Sequence, residues 1–474
     1  MYRLHRLRLL PVHCAARSRS SASISTCANV IRGKRFVMHR LKRLSGACTL
    51  IAGMCTAGGL SWPESAAAVD AAVAPAPRAL HANVPDAYVR PDPAAVDQAV
   101  ALQRMLDALQ PGERLIFAPG RYVLGRSLVV RQPNVVLSGY GATLIATNPD
   151  DQVIEMRGTG TTLVGFRLAG TGTTRLTTPE SSKIEVTGRG VQVLDNVIDG
   201  GAGAGIFVFG GADVAIVGNE VLSTLADGIH LTHGSRNVLV EGNVVRGTGD
   251  DMIAVVSYQA EGVLTRNVLI VGNSLEGNPW GRGITVVGGA NVTISRNIVR
   301  NVQVSAGILV AQEDSNRTAG SSDVRVEHNV IADIQTATGR TDPRPVTQQA
   351  AIEVSTWSGS VSRVTVIGNR VSHARFDGIR LWGNVSGVRL ADNQLSGIGG
   401  MPVRVGPAPD CAVGSAAARS TSQGNQADPA HGAPCALARE SQSAAADALG
   451  ADTSLLPRVR ESVRRARWSQ PRNE

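Results

Sequence analysis

The sequence predicts an all-β chain wound as a right-handed parallel β-helix with an N-terminal helical cap. Two observations carry this expectation. Glycine is frequent, at 52 of 474 residues, while aromatics make up only 3%. Valine and isoleucine dominate the apolar set, which favours short strands and tight turns over helices. From Val191 onward a unit Val-x-Val/Ile/Leu-x-x-Asn-x-Val/Ile/Leu recurs. Its asparagines are Asn196, Asn219, Asn243, Asn273, Asn297, Asn329, Asn369 and Asn393, at steps of 23, 24, 30, 24, 32, 40 and 24 residues. A rung of 23–24 residues with occasional insertions, several strands per turn and no helices describes a parallel β-helix.

The chain opens with a leader, 1–68. The segment 38–43 is basic, 44–60 is apolar and small, and Ser65-Ala66-Ala67-Ala68 offers a small-residue cleavage site. This is the pattern of an export signal, with translation expected to start at Met38. The mature chain is therefore expected to be secreted or periplasmic, with no stable membrane insertion after cleavage. The formal net charge of +9 suggests a nucleic-acid partner, but the leader explains it. Met1 to Arg43 holds 11 Lys/Arg and no Asp/Glu. Removing those and Glu64 leaves 36 Lys/Arg against 37 Asp/Glu, a balance of −1. No nucleic-acid partner is expected.

Residues 69–84 are Ala/Pro-rich and read as a linker. Asp92-Pro93 reads as an N-cap followed by proline at the first helical position. Val96, Val100, Met105, Leu106 and Leu109 then recur at roughly helical spacing, and Pro111-Gly112 stops the helix. Such a helix covers the open end of a repeat stack. Short strands follow in 115–124, 128–130, 135–139 and 142–146. The β-helix with its cap is expected over 85–408, and a C-terminal segment with a tail over 409–474. Two of the six cysteines remain after cleavage, Cys411 and Cys435. In an exported chain they are expected to pair, closing a loop of about 25 residues worth roughly 3 kcal/mol. A metal-binding or catalytic thiol is the alternative.

The asparagines have a structural reading. Stacked every ~4.8 Å at a bend between strands, they form an amide ladder. The chemistry is expected elsewhere. Between the asparagine runs lies a second strand, marked by Ile206, Ile229, Ile253, Ile284, Ile308, Ile352 and Ile379. The residues two before these isoleucines are Ala204, Asp227, Asp251, Arg282, Ala306, Ala350 and Asp377, which neighbouring rungs place in one column. Asp227, Asp251 and Arg282 stack consecutively, with Asp250 to one side. His230 points outward if Ile229 and Leu231 point inward, and Asp227 joins it only if the chain breaks alternation at Gly228. Asp-Gly is also ordinary turn chemistry, and Asp377-Gly378 repeats it where there is no cluster. Two adjacent aspartates facing a third repel one another, which costs stability unless a ligand, metal or reaction uses them.

The segment 115–124, with its Pro119-Gly120-Arg121-Tyr122, resembles the entry of the pectate-lyase-like superfamily of single-stranded right-handed β-helix proteins. Asp227-Gly228-Ile229-His230 followed by Asp250-Asp251 resembles the Asn-Thr-Asp-Gly and Asp-Asp motifs of polygalacturonase-type glycoside hydrolases. The resemblance implies inverting hydrolysis, with Asp250 as general acid and Asp227 and Asp251 holding and activating water. The next rung reads Gly281-Arg282-Gly283 where that family has Gly-His-Gly. Leu309-Val310-Ala311 stands where it has Arg-Ile-Lys, the substrate-carboxylate grip. These departures argue against polygalacturonate.

A second reading gives a calcium-dependent polysaccharide lyase or uronate epimerase. Asp227, Asp250 and Asp251 would then hold Ca²⁺, with Arg282 near the sugar. Under the hydrolase reading no metal or cofactor is needed. A third reading is a non-catalytic surface or polysaccharide-binding β-helix. A polysaccharide is the expected partner in all three, and the chain is expected to be a monomer. Tyr258, Trp280, Trp357 and Trp382 are expected to stack on sugar rings, with coverage of the sheet's outside as the alternative. The insertions 312–323 and 333–349 are long enough to wall a cleft, and Glu313 and the stretch 342–344 could reach into it.

Overall fold

Alternating apolar residues on short strands require a surface on which to bury one face, and here each turn of chain buries it against the turn before. The computed structural model describes residues 86–170, 172–337, 346–406, 411–413 and 418–420. The leader, the linker 69–84, the stretch 342–344 and Cys435 lie outside the described residues, so the Cys411–Cys435 pairing does too.

The described chain forms a right-handed parallel β-helix built on three sheets of 14, 11 and 12 strands. One turn shows the plan. Ile229–Thr232 lies in the second sheet, Arg236–Glu241 in the first and Val244–Arg246 in the third, before Ile253–Val256 returns to the second. Each strand pairs in parallel with its counterpart one turn on.

The register of the second sheet is the one the sequence predicts. Ile206, Ile229, Ile253, Ile284, Ile308, Ile352 and Ile379 are partners in turn, and Ile154 and Ile184 extend the column. All are fully buried in one continuous core. Each contributes roughly 1.5–3 kcal/mol of apolar burial.

The asparagines form the expected ladder at the bend between the first and third sheets. From Asn196 to Asn393 each Nδ2 donates to the Oδ1 of the next at 2.9–3.0 Å. The same Oδ1 also accepts the backbone N–H of the preceding asparagine. A second ladder was not foreseen. Asp213, Asn237, Asn267 and Asn291 stack in the first sheet, joined by amide bonds of 2.8–2.9 Å. All four have φ between 53° and 57°, the left-handed region that Asn and Asp tolerate best after glycine.

The N-terminal helix spans Ala99–Ala108 and begins later than expected. Asp92 instead caps a separate turn, accepting the Ala94 N–H at 2.9 Å, and Asp97 accepts the Ala99 N–H. The buried face is Ala99, Leu102, Leu106 and, just beyond, Leu109, whereas Val96 is 89% exposed. The helix caps the second sheet through a side chain. Gln103 Oε1 accepts the Val129 N–H at 2.8 Å, and its Nε2 donates to Val129 O at 3.0 Å, so one amide satisfies the open edge of Leu128–Val130.

At the other end the sheets continue past Asn393, where the sequence repeat fades. Val403–Val405, Cys411–Val413 and Ala418–Ser420 add parallel strands to the second, first and third sheets. Backbone pairing carries the fold there without an asparagine to mark it. Among the described residues no helix is long and apolar enough to cross a membrane.

Asn273→Ala would leave the backbone N–H and the amide of Asn243 without their acceptor. Two buried donors without partners cost on the order of 3 kcal/mol together. Urea denaturation of the variant should show a lowered midpoint of that size.

Candidate active site

The three aspartates meet where the chain passes from the third sheet to the second. Residues 225, 226 and 228 are bends, so Asp227 precedes the strand and escapes its alternation. Gly228 has a packing reason: a Cβ there would lie 2.5 Å from Met252 O on the next rung. The Asp250 backbone is pinned by Thr248 Oγ1 and Asn278 Nδ2, which both donate to its carbonyl at 2.7 Å. Gly281 lets the following rung approach, since its Cβ would lie 2.4 Å from the Asp250 carbonyl carbon.

Carboxylate oxygens of Asp227, Asp250 and Asp251 all lie within 4.8 Å of one another. They line a cleft of about 310 Å³ over the outer face of the second sheet. Each carboxylate has a distinct partner. Asp227 Oδ2 stands 2.5 Å from His230 Nδ1. Asp250 accepts from Arg175 at 2.5 Å. Asp251 accepts the Arg282 backbone N–H at 2.7 Å, with the Arg282 guanidinium 3.6 Å away. Arg282 turns its other nitrogen to Glu313 at 2.5 Å.

Burial dominates the electrostatics. It pushes the Asp251 carboxyl up to about 8; Arg282 offsets part of this, and the charges of Asp250 and Asp227 add to it. Burial also raises Asp250, with the charge of Asp227 acting in the same direction and Arg175 opposing. The Tyr258 hydroxyl is raised by burial and by the surrounding carboxylates, which keeps it protonated. The cluster thus gathers two carboxyl groups whose hold on the proton is raised by burial and by neighbouring charge, a property that acid catalysis uses.

The cleft holds groups that the sequence reading did not single out. Phe207 is the register partner of His230 on the preceding rung and stacks on it, centroids 4.8 Å apart at 13°. Phe209 and Thr232 lie beside them, Glu261 comes from the turn after Tyr258, and Arg175 arrives on the loop before Pro179. His230 Nε2 and Thr232 Oγ1 are buried in the cleft wall without a partner. The register that stacks Ile206 on Ile229 also stacks Phe207 on His230, so that signal was present in the sequence. Arg175 lies 75 residues from Asp250, and no periodicity announces it.

Asp227, His230, Asp250, Asp251, Tyr258, Arg282 and Glu313 come together in the cleft. The tryptophans do not. Trp280 is half-buried on the turn before Arg282 and does not line the cleft. Trp357 and Trp382 pack edge-to-face at 5.3 Å, 69% and 36% exposed. They sit three and four rungs beyond Asp251, roughly 14 and 19 Å along the axis.

A calcium ion takes six to eight oxygens. The three carboxylates supply some of these, but two of them already carry a guanidinium within 2.5 and 3.6 Å. The donor set is therefore better matched to internal ion pairing than to a hard dication.

Residues 153–299 and 258–395, together more than half of the chain, match the family described as "Right handed beta helix region". The chain belongs to this family of right-handed β-helix proteins. Among solved structures it is similar to the catalytic domain of a GH87 alpha-1,3-glucanase in complex with tetrasaccharides, at 17% identity and TM-score 0.53, over 71% of this chain and 68% of that one. It is also similar to the catalytic unit of a thermostable GH87 alpha-1,3-glucanase from Streptomyces thermodiastaticus strain HF3-3, at 19% identity and TM-score 0.51, over 69% and 68%. These likenesses show the fold. Three of the matching glucanase structures carry single aspartate-to-alanine substitutions, at positions separated by 23 residues and by one. No curated protein matches the chain in sequence.

A carboxyl whose folded pKa lies above its unfolded value stabilises the fold at low pH. That contribution is complete below about pH 4 and is lost as pH rises through the folded value. For Asp251 the window runs up to about 8. The melting temperature should fall across this window, and Asp251→Asn, which mimics the neutral acid, should flatten the fall. An unchanged slope in thermal melts would mean that Asp251 is ionised throughout.

Proposed function

We propose that this chain is an exported carbohydrate-active enzyme that hydrolyses glycosidic bonds of a polysaccharide. The observation that carries the reading is the carboxylate trio on adjacent rungs, oxygens within 4.8 Å, at the floor of a cleft. The spacing of Asp227, Asp250 and Asp251, 23 residues and one, equals that of the substituted aspartates in the glucanase structures. Asp250 is the proton donor: its pKa is raised, and its side chain is the most exposed of the three paired carboxylates, at 22%. Asp227, backed by His230, takes the proton of the attacking water, and Asp251 fixes Arg282 and the second side of that water.

The calcium-dependent lyase or epimerase reading keeps one supporting observation, the three clustered carboxylates themselves. The two readings give different products. Hydrolysis releases reducing ends, and a lyase leaves an unsaturated product that absorbs ultraviolet light.

On a panel of neutral and uronate-rich polysaccharides, the purified protein should release reducing ends without new absorbance, with chelator present. Asp250→Asn should lower kcat by roughly 10²- to 10⁴-fold. Absorbance that appears with calcium and vanishes with chelator would replace hydrolysis by elimination. For export, N-terminal sequencing of the protein recovered outside the cytoplasm should begin near Val69, and an intact leader on that material would overturn this part of the proposal.

A further inference from the structure

We infer that the cleft is built for an uncharged pyranoside, so that the substrate is a neutral glycan, and that the Arg282–Glu313 pair enforces this choice. The inference rests on the reading of the cleft as a glycoside-cleaving site and names the substrate class. Five carboxyl groups line the cleft, Asp227, Asp250, Asp251, Glu261 and Glu313, against two guanidinium groups, Arg175 and Arg282. Both cations are taken. Arg175 is bound to Asp250, and Arg282 lies between Asp251 and Glu313. Glu313 is itself held in place: Thr318 Oγ1 accepts its backbone N–H at 2.8 Å, and Asn316 donates to its second oxygen at 2.8 Å. A substrate carboxylate would find no unengaged cation among the described lining residues. Moving Arg175 onto a uronate would exchange one ion pair for another and leave Asp250 facing its neighbours' charge.

What the cleft offers instead suits hydroxyl groups and sugar rings. His230 Nε2 and Thr232 Oγ1 are buried, unpartnered and on the cleft wall, in residues only 8% and 2% exposed. Buried polar atoms without partners are costly, and a ligand hydroxyl can satisfy both. Phe207 and Phe209 add apolar surface beside them, one face of each ring being covered by His230 and His233. A neutral pyranose has hydroxyls for the first pair and C–H faces for the second. A uronate has these too, but brings a charge into a site with an excess of carboxylates.

The test is calorimetric binding to the full chain carrying Asp227→Asn, which slows turnover and leaves both arginine ion pairs in place. The probes are matched trisaccharides of glucose, galactose and mannose and of their uronates, in chelator and again with added calcium. At least one neutral probe should bind, with its uronate counterpart ~10-fold weaker or more. Residual uronate binding should strengthen as salt is raised, because salt screens repulsion. Glu313→Gln, which removes one of the two carboxylates that engage Arg282, should raise the uronate-to-neutral affinity ratio by ~10-fold. The inference is overturned if a uronate binds as tightly as its neutral counterpart in either arm, or if its binding weakens with salt as an arginine grip would require. The salt dependence needs no Glu313 variant, so it decides the matter even if that variant misfolds. If polysaccharide is hydrolysed without preference for neutral chains, the inference alone falls. If no probe binds and no polysaccharide is cut, the glycoside-cleaving reading fails and takes the inference with it.

Discussion

Parallel pairing of each turn with the next fixes a rise of about 4.8 Å and stacks every side chain over its counterpart. All else in this chain follows from that constraint. An isoleucine over an isoleucine fills the interior without a gap, as the column from Ile154 to Ile379 does. An asparagine over an asparagine closes amide bonds that no single turn could make. The same geometry makes a carboxylate over a carboxylate unfavourable. Asp227 and Asp251 share this conflict with Glu155 and Glu185, register partners in the same sheet, where burial and the neighbouring charge push Glu185 up to about 7. Glu353 on Arg380 and Asp377 with Arg404 show the usual solution, an acid on one rung and a base on the next.

The aspartate cluster departs from that solution without abandoning it. Asp251 has an arginine on the following rung, as Asp377 does, and both accept a backbone N–H from that rung. The difference is the company. Asp250 and Asp227 crowd the same space, and Asp251 is more deeply shielded from water than its arginine can offset. Two arginines from distant parts of the chain, Arg175 and Arg282, hold the cluster together. The result is a set of crowded acids, each kept in place by its own partner.

Much of this was legible in the sequence because repetition makes position meaningful. The isoleucine register and the aspartate column follow directly from the 23–24-residue step. Asp227 reaches the cleft through a break in alternation that the sequence reading could only assume at Gly228 and that the bends at 225, 226 and 228 supply. The rest depends on segments that do not repeat. Arg175 sits on an insertion whose path no periodicity fixes. Trp357 and Trp382 lie next to or on second-sheet strands as the sequence suggests, but the rungs place them three and four turns beyond Asp251. The helix was misplaced because Asp92-Pro93 resembles a helix start, while Asp97, five residues later, bonds the first helical N–H.

The Gln103 amide that bonds both backbone groups of Val129 does more than finish a helix. A stack of parallel strands ends in an edge that can accept another strand of any chain. With that amide in place, the middle of the Leu128–Val130 edge presents neither a free donor nor a free acceptor. Growth of the sheet therefore stops at a side chain, and the same contact that starts the solenoid keeps it from propagating as a fibre.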